Sequence, residues 1–127
     1  MTEAVMDSSA VLARLHGEPG AEAVTAALAG SCISAINFAE VVSKLIGRGV
    51  PEAEAAKVAR RLGIEFVDVD EDQAVSAGMI HSATRAAGIS MADAFCLALA
   101  KQRGSSVLTS DRAWKSLDLG VEVMLIR

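Results

Sequence analysis

The stretch ISMADAFCLALA, residues 89–100, is the part of the sequence that constrains the fold most strongly. Between Met91 and Ala100 it holds a single charged residue, Asp93. A helix that is apolar nearly all round is typical of a buried helix, and an ionised carboxylate inside one is costly unless it is paired, hydrogen-bonded or bound to a metal. Ser90 and Asp93 also have the spacing of a capping box. The stretch therefore predicts a buried helix whose carboxylate is satisfied by capping or by a partner elsewhere.

Short strand patterns alternate with helical patterns along the rest of the chain. Strands are predicted at residues 5–6, 32–34, 64–69, 106–109 and 121–126. Helices are predicted at residues 8–16, 21–29, 37–46, 51–62, 70–87, 91–103 and 111–117. The strongest strand pattern is the third, because it is rich in β-branched and aromatic residues. The alternation predicts an α/β fold around a parallel sheet.

Length and composition narrow the class of protein. A chain of 127 residues predicts one domain, residues 1–127, and a hydrophobic content of 52% supplies a substantial core. Aromatic residues are only 3%, which disfavours a protein that stacks nucleic-acid bases on aromatic side chains. The net charge of −4 disfavours a simple electrostatic nucleic-acid binder.

The sequence shows no sign of export or membrane insertion. The N-terminus has neither a basic region nor an apolar segment of the secretory type. The longest uncharged run, residues 23–39, is interrupted by glycine and polar residues and is too polar to span a bilayer. Cys32 and Cys96 lie far apart in apolar surroundings, as expected of small buried residues in a reducing compartment. We expect a cytoplasmic protein.

Four acidic residues fall where an α/β fold places its ligands. Asp7 directly follows the first predicted strand, and Asp111 follows the fourth. Glu40 lies in the helix after the second strand, and Asp93 lies near the start of the buried helix. Open α/β sheets bind ligands at the carboxyl ends of their strands, and clustered carboxylates repel one another unless a cation is present. The set therefore predicts a site for Mg²⁺ or Mn²⁺, which prefer oxygen ligands.

Each acid also has an ordinary structural explanation. Asp7 and Asp111 precede helical segments and have the chemistry of N-caps. Glu40 has Lys44 four residues further on, so a solvated ion pair explains it equally well. The four acids together are more informative than any one of them. Without them the chain has 12 acidic and 12 basic residues, so its net charge of −4 could lie largely at this one site.

The motifs around these acids resemble those of a known family. DSSA at residues 7–10, NFAEVV at 37–42, SMADAFCLALA at 90–100 and TSDR at 109–112 look like the PIN-domain ribonucleases, and most like the VapC toxins of toxin–antitoxin pairs. The resemblance covers nearly the whole chain in the family's order. The family's four acidic positions fall on Asp7, Glu40, Asp93 and Asp111, and its hydroxyl positions fall on Ser9 and Thr109.

The resemblance implies a fold, an activity and partners. The fold would be a three-layer α/β/α sandwich with a central, mostly parallel sheet of about five strands. The activity would be cleavage of RNA that depends on Mg²⁺ or Mn²⁺, with Ser9 and Thr109 orienting carboxylates through hydrogen bonds. The partners would be a second copy of the chain and a small VapB-like antitoxin. The helical pair at residues 37–62 is a candidate surface for either one.

Two alternatives remain open from the sequence. One is a PIN fold that binds RNA or an antitoxin without cleaving RNA. The other is a phospho-acceptor receiver domain, which has a similar length and alternation. A receiver needs adjacent acids after its first strand, and here Asp7 is followed by Ser8.

Overall fold

The structure is a computed structural model that describes residues 4–127. Its strands pair in parallel throughout and form one five-stranded sheet in the order β3-β2-β1-β4-β5. The strands are β1 Ala4–Met6, β2 Cys32–Ser34, β3 Glu65–Val67, β4 Ser106–Thr109 and β5 Val123–Leu125. This order differs from the 2-1-3-4-5 order of receiver domains, so the receiver alternative is wrong.

The strand order creates a switch point between β1 and β4. The chain builds β1, β2 and β3 outward in one direction, then returns to place β4 on the other side of β1. Crevices that bind ligands in open α/β sheets form at such a point, beyond the carboxyl ends of the strands. Asp7 directly follows β1, and Thr109 is the last residue of β4. The topology therefore brings the first and last predicted site segments side by side.

Six α-helices connect the strands within residues 4–127. They are α1 Ser8–His16, α2 Ala21–Ala27, α3 Ala35–Gly47, α4 Glu52–Arg60, α5 Glu71–Thr84 and α6 Met91–Arg103. Two short 3₁₀ segments, Arg85–Ala87 and Arg112–Ser116, follow α5 and β4. Helix α6 ends at Gly104, which adopts a left-handed conformation with φ of 61°. None of the helices in this part of the chain is long and apolar enough to cross a membrane.

The sheet is covered by helices on both faces, which gives the predicted three-layer α/β/α sandwich. Successive residues of a strand point to opposite faces, and β1 shows this directly. Ala4 and Met6 pack into the core formed with α1 to α4. Val5 packs into the other core, formed with α5, α6 and the buried Trp114. The predicted α/β fold with a parallel sheet of five strands is confirmed.

The apolar stretch at residues 89–100 forms a buried helix, as predicted. Residues 94 and 96–100 of α6 are all buried, and both cysteines are buried as well. Burying so apolar a helix against the sheet and α5 is favourable, because it removes apolar surface from water. Its first turn, which carries Asp93, is exposed or half-buried.

Several predicted elements are shorter than expected. The strand predicted at 64–69 is only Glu65–Val67, and it lies at the edge of the sheet with largely exposed side chains. The helix predicted at 70–87 ends at Thr84 and continues as a 3₁₀ turn, and the helix predicted at 111–117 is entirely 3₁₀. Edge strands pair on one side only, so their ends lose hydrogen bonds first.

Candidate active site

Asp7 is the most constrained of the predicted site residues. Its side chain is buried, with 4% of its surface exposed, and its backbone N–H donates to the carbonyl of Leu108 in β4 at 2.9 Å. One carboxylate oxygen accepts from the backbone N–H of Ser8 at 2.8 Å. The other accepts from the hydroxyls of Ser9 at 2.6 Å and Thr109 at 2.8 Å. Three donors therefore hold this buried carboxylate in one orientation.

The hydroxyls of Ser9 and Thr109 join the loop after β1 to the loop after β4. Their oxygens lie 3.4 Å apart. Ser9 Oγ accepts from the backbone N–H of Ser110 at 3.0 Å, and Thr109 Oγ1 accepts from that of Asp111 at 3.0 Å. Each hydroxyl thus gives its hydrogen to Asp7, and the bond from Ser110 to Ser9 joins the segment after β4 to the start of α1. This arrangement matches the carboxylate-orienting role that the resemblance implies for both residues.

Asp111 lies on the exposed rim of the site. One of its carboxylate oxygens accepts from the backbone N–H of Ala113 at 3.0 Å, which caps the 3₁₀ segment Arg112–Ser116. The predicted N-cap role is therefore confirmed. Its backbone N–H donates to the Thr109 hydroxyl, which in turn donates to Asp7, so Thr109 links Asp111 to Asp7.

Glu40 is held by a residue that sequence reasoning did not select. Asn37, one turn earlier in α3, donates from Nδ2 to Glu40 Oε1 at 3.0 Å. The same nitrogen donates to the carbonyl of Ala92 in α6 at 3.1 Å. The alternative pairing of Glu40 with Lys44 is wrong: the structure shows no such ion pair within residues 4–127, because Glu40 is turned toward Asn37 and the first turn of α6. The available signal was a polar residue three positions before an acid, which shares its helix face.

Asp93 has the predicted local structure. Ser90 accepts from the backbone N–H of Asp93 at 3.1 Å, and Asp93 Oδ2 accepts from the backbone N–H of Ser90 at 2.9 Å. This reciprocal pair is a capping box. Asp93 is half-buried, and the capping bond satisfies one of its carboxylate oxygens.

The pKa shifts show that these acids form one electrostatic group. Burial raises the pKa of Asp7, the hydroxyls of Ser9 and Thr109 lower it, and the charges of Asp93 and Glu40 raise it again. Burial likewise raises the pKa of Asp93, against its bonds to Ser90, and the charges of Glu40 and Asp111 add to the rise. Like charges disfavour ionisation of their neighbours. Acids from the end of β1, from α3, from α6 and from the loop after β4 therefore act on one another at one edge of the sheet.

The donor set fits a hard divalent cation in its chemistry. All four side chains offer carboxylate oxygens, the ligands that Mg²⁺ and Mn²⁺ prefer. Asn37 Oδ1, next to Glu40, is a buried oxygen that has no hydrogen-bond partner, and such an atom is suited to accept from water carried by a cation. As the side chains stand, however, no three His, Cys, Asp or Glu side chains in the described chain are arranged to hold a metal ion. Binding therefore requires the carboxylates to approach one another, which their repulsion opposes unless a cation is present.

Comparisons with known proteins agree on the fold. The PIN domain family model matches residues 4–119, and no curated protein matches the sequence. A DNA-bound VapBC from Salmonella typhimurium is similar at 20% identity, with a TM-score of 0.78 over 100% of both chains. VapBC-5 from Mycobacterium tuberculosis, a member of the VapBC family of toxin–antitoxin systems, is similar at 19% identity, with a TM-score of 0.62 over 100% of this chain and 99% of that one. FitAcB from Neisseria gonorrhoeae is similar at 25% identity, with a TM-score of 0.67 over 95% of this chain and 96% of that one.

Proposed function

Because the chain belongs to the PIN domain family, we propose that it is a Mg²⁺- or Mn²⁺-dependent endoribonuclease and the VapC-type toxin of a toxin–antitoxin pair. In this proposal residues 1–127 act as a single nuclease domain in the cytoplasm. The observation that carries the proposal is the buried carboxylate of Asp7 at the switch point of the sheet, facing the charges of Asp93 and Glu40. Burying an ionisable group among like charges lowers stability, so it indicates a functional requirement.

Asp7, Asp93, Glu40 and Asp111 are the residues that would hold the cation. A divalent cation at this position supplies Lewis acidity, which lowers the pKa of water and offsets negative charge on a phosphodiester. The hydroxyls of Ser9 and Thr109 oppose the rise in the pKa of Asp7 that burial causes, and they orient its carboxylate, since both donate to the same oxygen. The capping box directs Asp93 toward the same edge of the sheet. The exposed position of Asp111 leaves it at the side of the site from which RNA would approach.

The partners follow from the same resemblance. Several of the similar structures are named as VapBC proteins, which supports a VapB-like antitoxin as the partner of this chain. Helix α3 and the neighbouring edge strand β3 carry an exposed apolar patch, in which the rings of Phe38 in α3 and Phe66 in β3 lie 4.5 Å apart and Phe66 is 39% exposed. Ile46, further along α3, is also 39% exposed. We propose this patch as a surface for the antitoxin or for a second copy of the chain. Light scattering of the isolated protein tests the homodimer, and a monomer at micromolar concentration would count against it.

The second candidate is a PIN fold that binds RNA or antitoxin without cleavage. The observation that favours it is that no carboxylate group in the described chain is already arranged around a metal position. The two candidates differ in whether RNA is cut when Mn²⁺ is supplied, so one experiment separates them.

The test is RNA cleavage by matched variants. Purified protein is incubated with a mixed RNA pool with and without Mn²⁺, next to Asp93→Asn and Asp70→Asn purified in the same way. Asp70 is also an acid at a helix start, where it caps α5 through Gln73, but none of the four site acids contributes to the shift of its pKa. We expect cleavage that needs Mn²⁺ in the wild type and in Asp70→Asn, and none in Asp93→Asn. Equal cleavage by all three proteins contradicts the proposal, and binding of RNA without cleavage by any of them favours the second candidate.

A further inference from the structure

Asn37 is a fully buried amide between the two helical layers of the fold. Its exposed fraction is 0%, and its Nδ2 group donates to Glu40 Oε1 at 3.0 Å and to the carbonyl of Ala92 at 3.1 Å. Glu40 belongs to α3, and Ala92 belongs to the first turn of α6, directly before Asp93. We propose that Asn37 is a positioning residue of the acidic site, which sets where the Glu40 carboxylate lies relative to Asp93. The inference rests on the proposed function.

The orientation of the Asn37 amide follows from its neighbours. Both of its partners, a carboxylate oxygen and a backbone carbonyl oxygen, are acceptors only. If the amide were flipped, its carbonyl oxygen would face two other oxygens and both bonds would be lost. The nitrogen therefore faces Glu40 and α6, and each of its two hydrogens has one acceptor.

Within residues 4–127, Asn37 is the residue that donates a hydrogen bond to the Glu40 carboxylate. A glutamate side chain has several rotatable bonds, and ordering it costs conformational entropy. A charge-assisted hydrogen bond from a rigid, buried donor selects one orientation. Because the same nitrogen is anchored to the Ala92 carbonyl, that orientation is tied to the start of α6 rather than to α3 alone.

The remaining atom of the amide is also informative. Asn37 Oδ1 is buried and has no hydrogen-bond partner. Buried acceptors without a partner are rare in folded proteins and call for a donor such as water. Because the Asn37 amide contacts Glu40, its oxygen would be able to accept from water carried by a cation that Glu40 helps to hold. Residues that orient metal ligands in this way typically change metal affinity or activity by about 10–100-fold when removed.

Gln73 provides a matched control within the same chain. It is also a buried amide, with 2% of its surface exposed. Its Nε2 donates to the carbonyl of Asp68 at 3.2 Å and to Gln102 Oε1 at 2.9 Å, and its Oε1 lacks a partner. It lies in α5 and contacts none of the four acids through these bonds. Gln73→Ala therefore measures the general cost of losing a buried amide with the same bonding pattern.

The experiment combines two readouts on five proteins: wild type, Asn37→Ala, Gln73→Ala, Glu40→Ala and the double variant of Asn37→Ala with Glu40→Ala. Mn²⁺ affinity is measured by calorimetry and RNA cleavage by initial rates. We expect Asn37→Ala to weaken Mn²⁺ binding about 10–100-fold and Gln73→Ala to change it less than about twofold. We expect the double variant to bind Mn²⁺ within about twofold of Glu40→Ala, because coupled residues are not additive. If Asn37→Ala does not fold, Asn37→Ser replaces it, since a hydroxyl has one hydrogen and cannot serve both acceptors.

The outcomes separate this inference from the proposed function. If the wild type binds Mn²⁺ or cleaves RNA and Asn37→Ala loses no more than Gln73→Ala, the inference is overturned and the nuclease proposal stands. An equal loss from Asn37→Ala with and without Glu40 also overturns it, because Asn37 would then act independently of that carboxylate. If the wild type neither binds Mn²⁺ nor cleaves RNA, both proposals are wrong.

Discussion

Thr109→Val tests the hydrogen-bond arrangement around the buried carboxylate of Asp7. Thr109 is fully buried, and its hydroxyl donates to Asp7 Oδ2 at 2.8 Å while accepting from the backbone N–H of Asp111 at 3.0 Å. Valine keeps the shape of the side chain and removes both bonds. Asp111 is exposed, so water can replace the acceptor there, whereas the loss at Asp7 occurs in a buried place.

The magnitude follows from the type of bond that is lost. A hydrogen bond to a charged group is worth about 1.5–3 kcal/mol, so we expect Thr109→Val to lower the free energy of unfolding by about 2–3 kcal/mol near neutral pH. For a domain of this size about 1 kcal/mol corresponds to roughly 4 °C. The melting temperature should therefore fall by about 8–12 °C.

The effect should depend on pH with a defined sign. The Thr109 hydroxyl lowers the pKa of Asp7, so valine leaves the folded-state pKa still further above the ordinary value of 3.8. As the pH falls toward that value, Asp7 gains a proton in both proteins, and the lost bond becomes an ordinary one of about 1 kcal/mol. The destabilisation is therefore largest at neutral and alkaline pH and shrinks in acid.

The control is Thr84→Val, measured by thermal unfolding in the same buffers. Thr84 is also buried, and its hydroxyl donates at 2.6 Å to the neutral backbone carbonyl of Ile80. We expect a loss of about 1 kcal/mol that does not change with pH. The reasoning is refuted if Thr109→Val costs no more than Thr84→Val, or if its cost is the same at about pH 8 and at pH 3.8, the ordinary pKa that Asp7 exceeds.

Three further predictions concern the charges of the site. Asp93→Asn should leave the melting temperature at pH 7 unchanged or higher, because burial and the charges of Glu40 and Asp111 raise the pKa of Asp93; a clear drop in thermal unfolding would contradict this. The pKa values of Asp7 and Asp93 are both raised above 3.8 in the folded protein, so the folded state binds protons more tightly than the unfolded state. The stability gained from protonation is fully present below pH 3.8 and is lost as the pH rises through the folded-state pKa values. Unfolding measured against pH should show this gain on acidification, and it should be smaller when both residues are changed to asparagine. Mn²⁺ should raise the melting temperature of the wild type at pH 7, and EDTA should reverse the rise; no shift at millimolar Mn²⁺ would indicate that the acids do not hold the cation.

Much of the fold was predictable because the pattern of this chain is locally consistent. The glycine and capping signals at the helix ends predicted α1 and α6 with the bounds that the structure shows, as at Ser90 and Gly104. The strand at residues 64–69 was overestimated, because β-propensity measures how well side chains suit a pleated surface and does not reveal that a strand lies at an edge. The exposed Glu65–Val67 pairs only with β2.

The sequence predicted that the four acids lie near one another, but not the hydrogen bonds that hold them. The positions of Asp7 and Thr109 after neighbouring strands depend on the sheet order, which alternation alone leaves undetermined. The i,i+4 rule suggested Lys44 as the partner of Glu40, but that rule describes an isolated helix and contains no information about which face meets another helix. Asn37 was missed for the same reason, since its second acceptor, the Ala92 carbonyl, is 55 residues away in the chain.

The most direct measurement for the central claim is a calorimetric titration of Mn²⁺ into the wild type and Asp7→Asn at neutral pH, with circular dichroism to show that both are folded. Asparagine retains an oxygen for the hydroxyls of Ser9 and Thr109 and removes the buried charge. If the acids form a cation site, the wild type binds Mn²⁺ and the folded variant does not. A wild type that takes up no Mn²⁺, or a variant that binds it equally well, contradicts the claim.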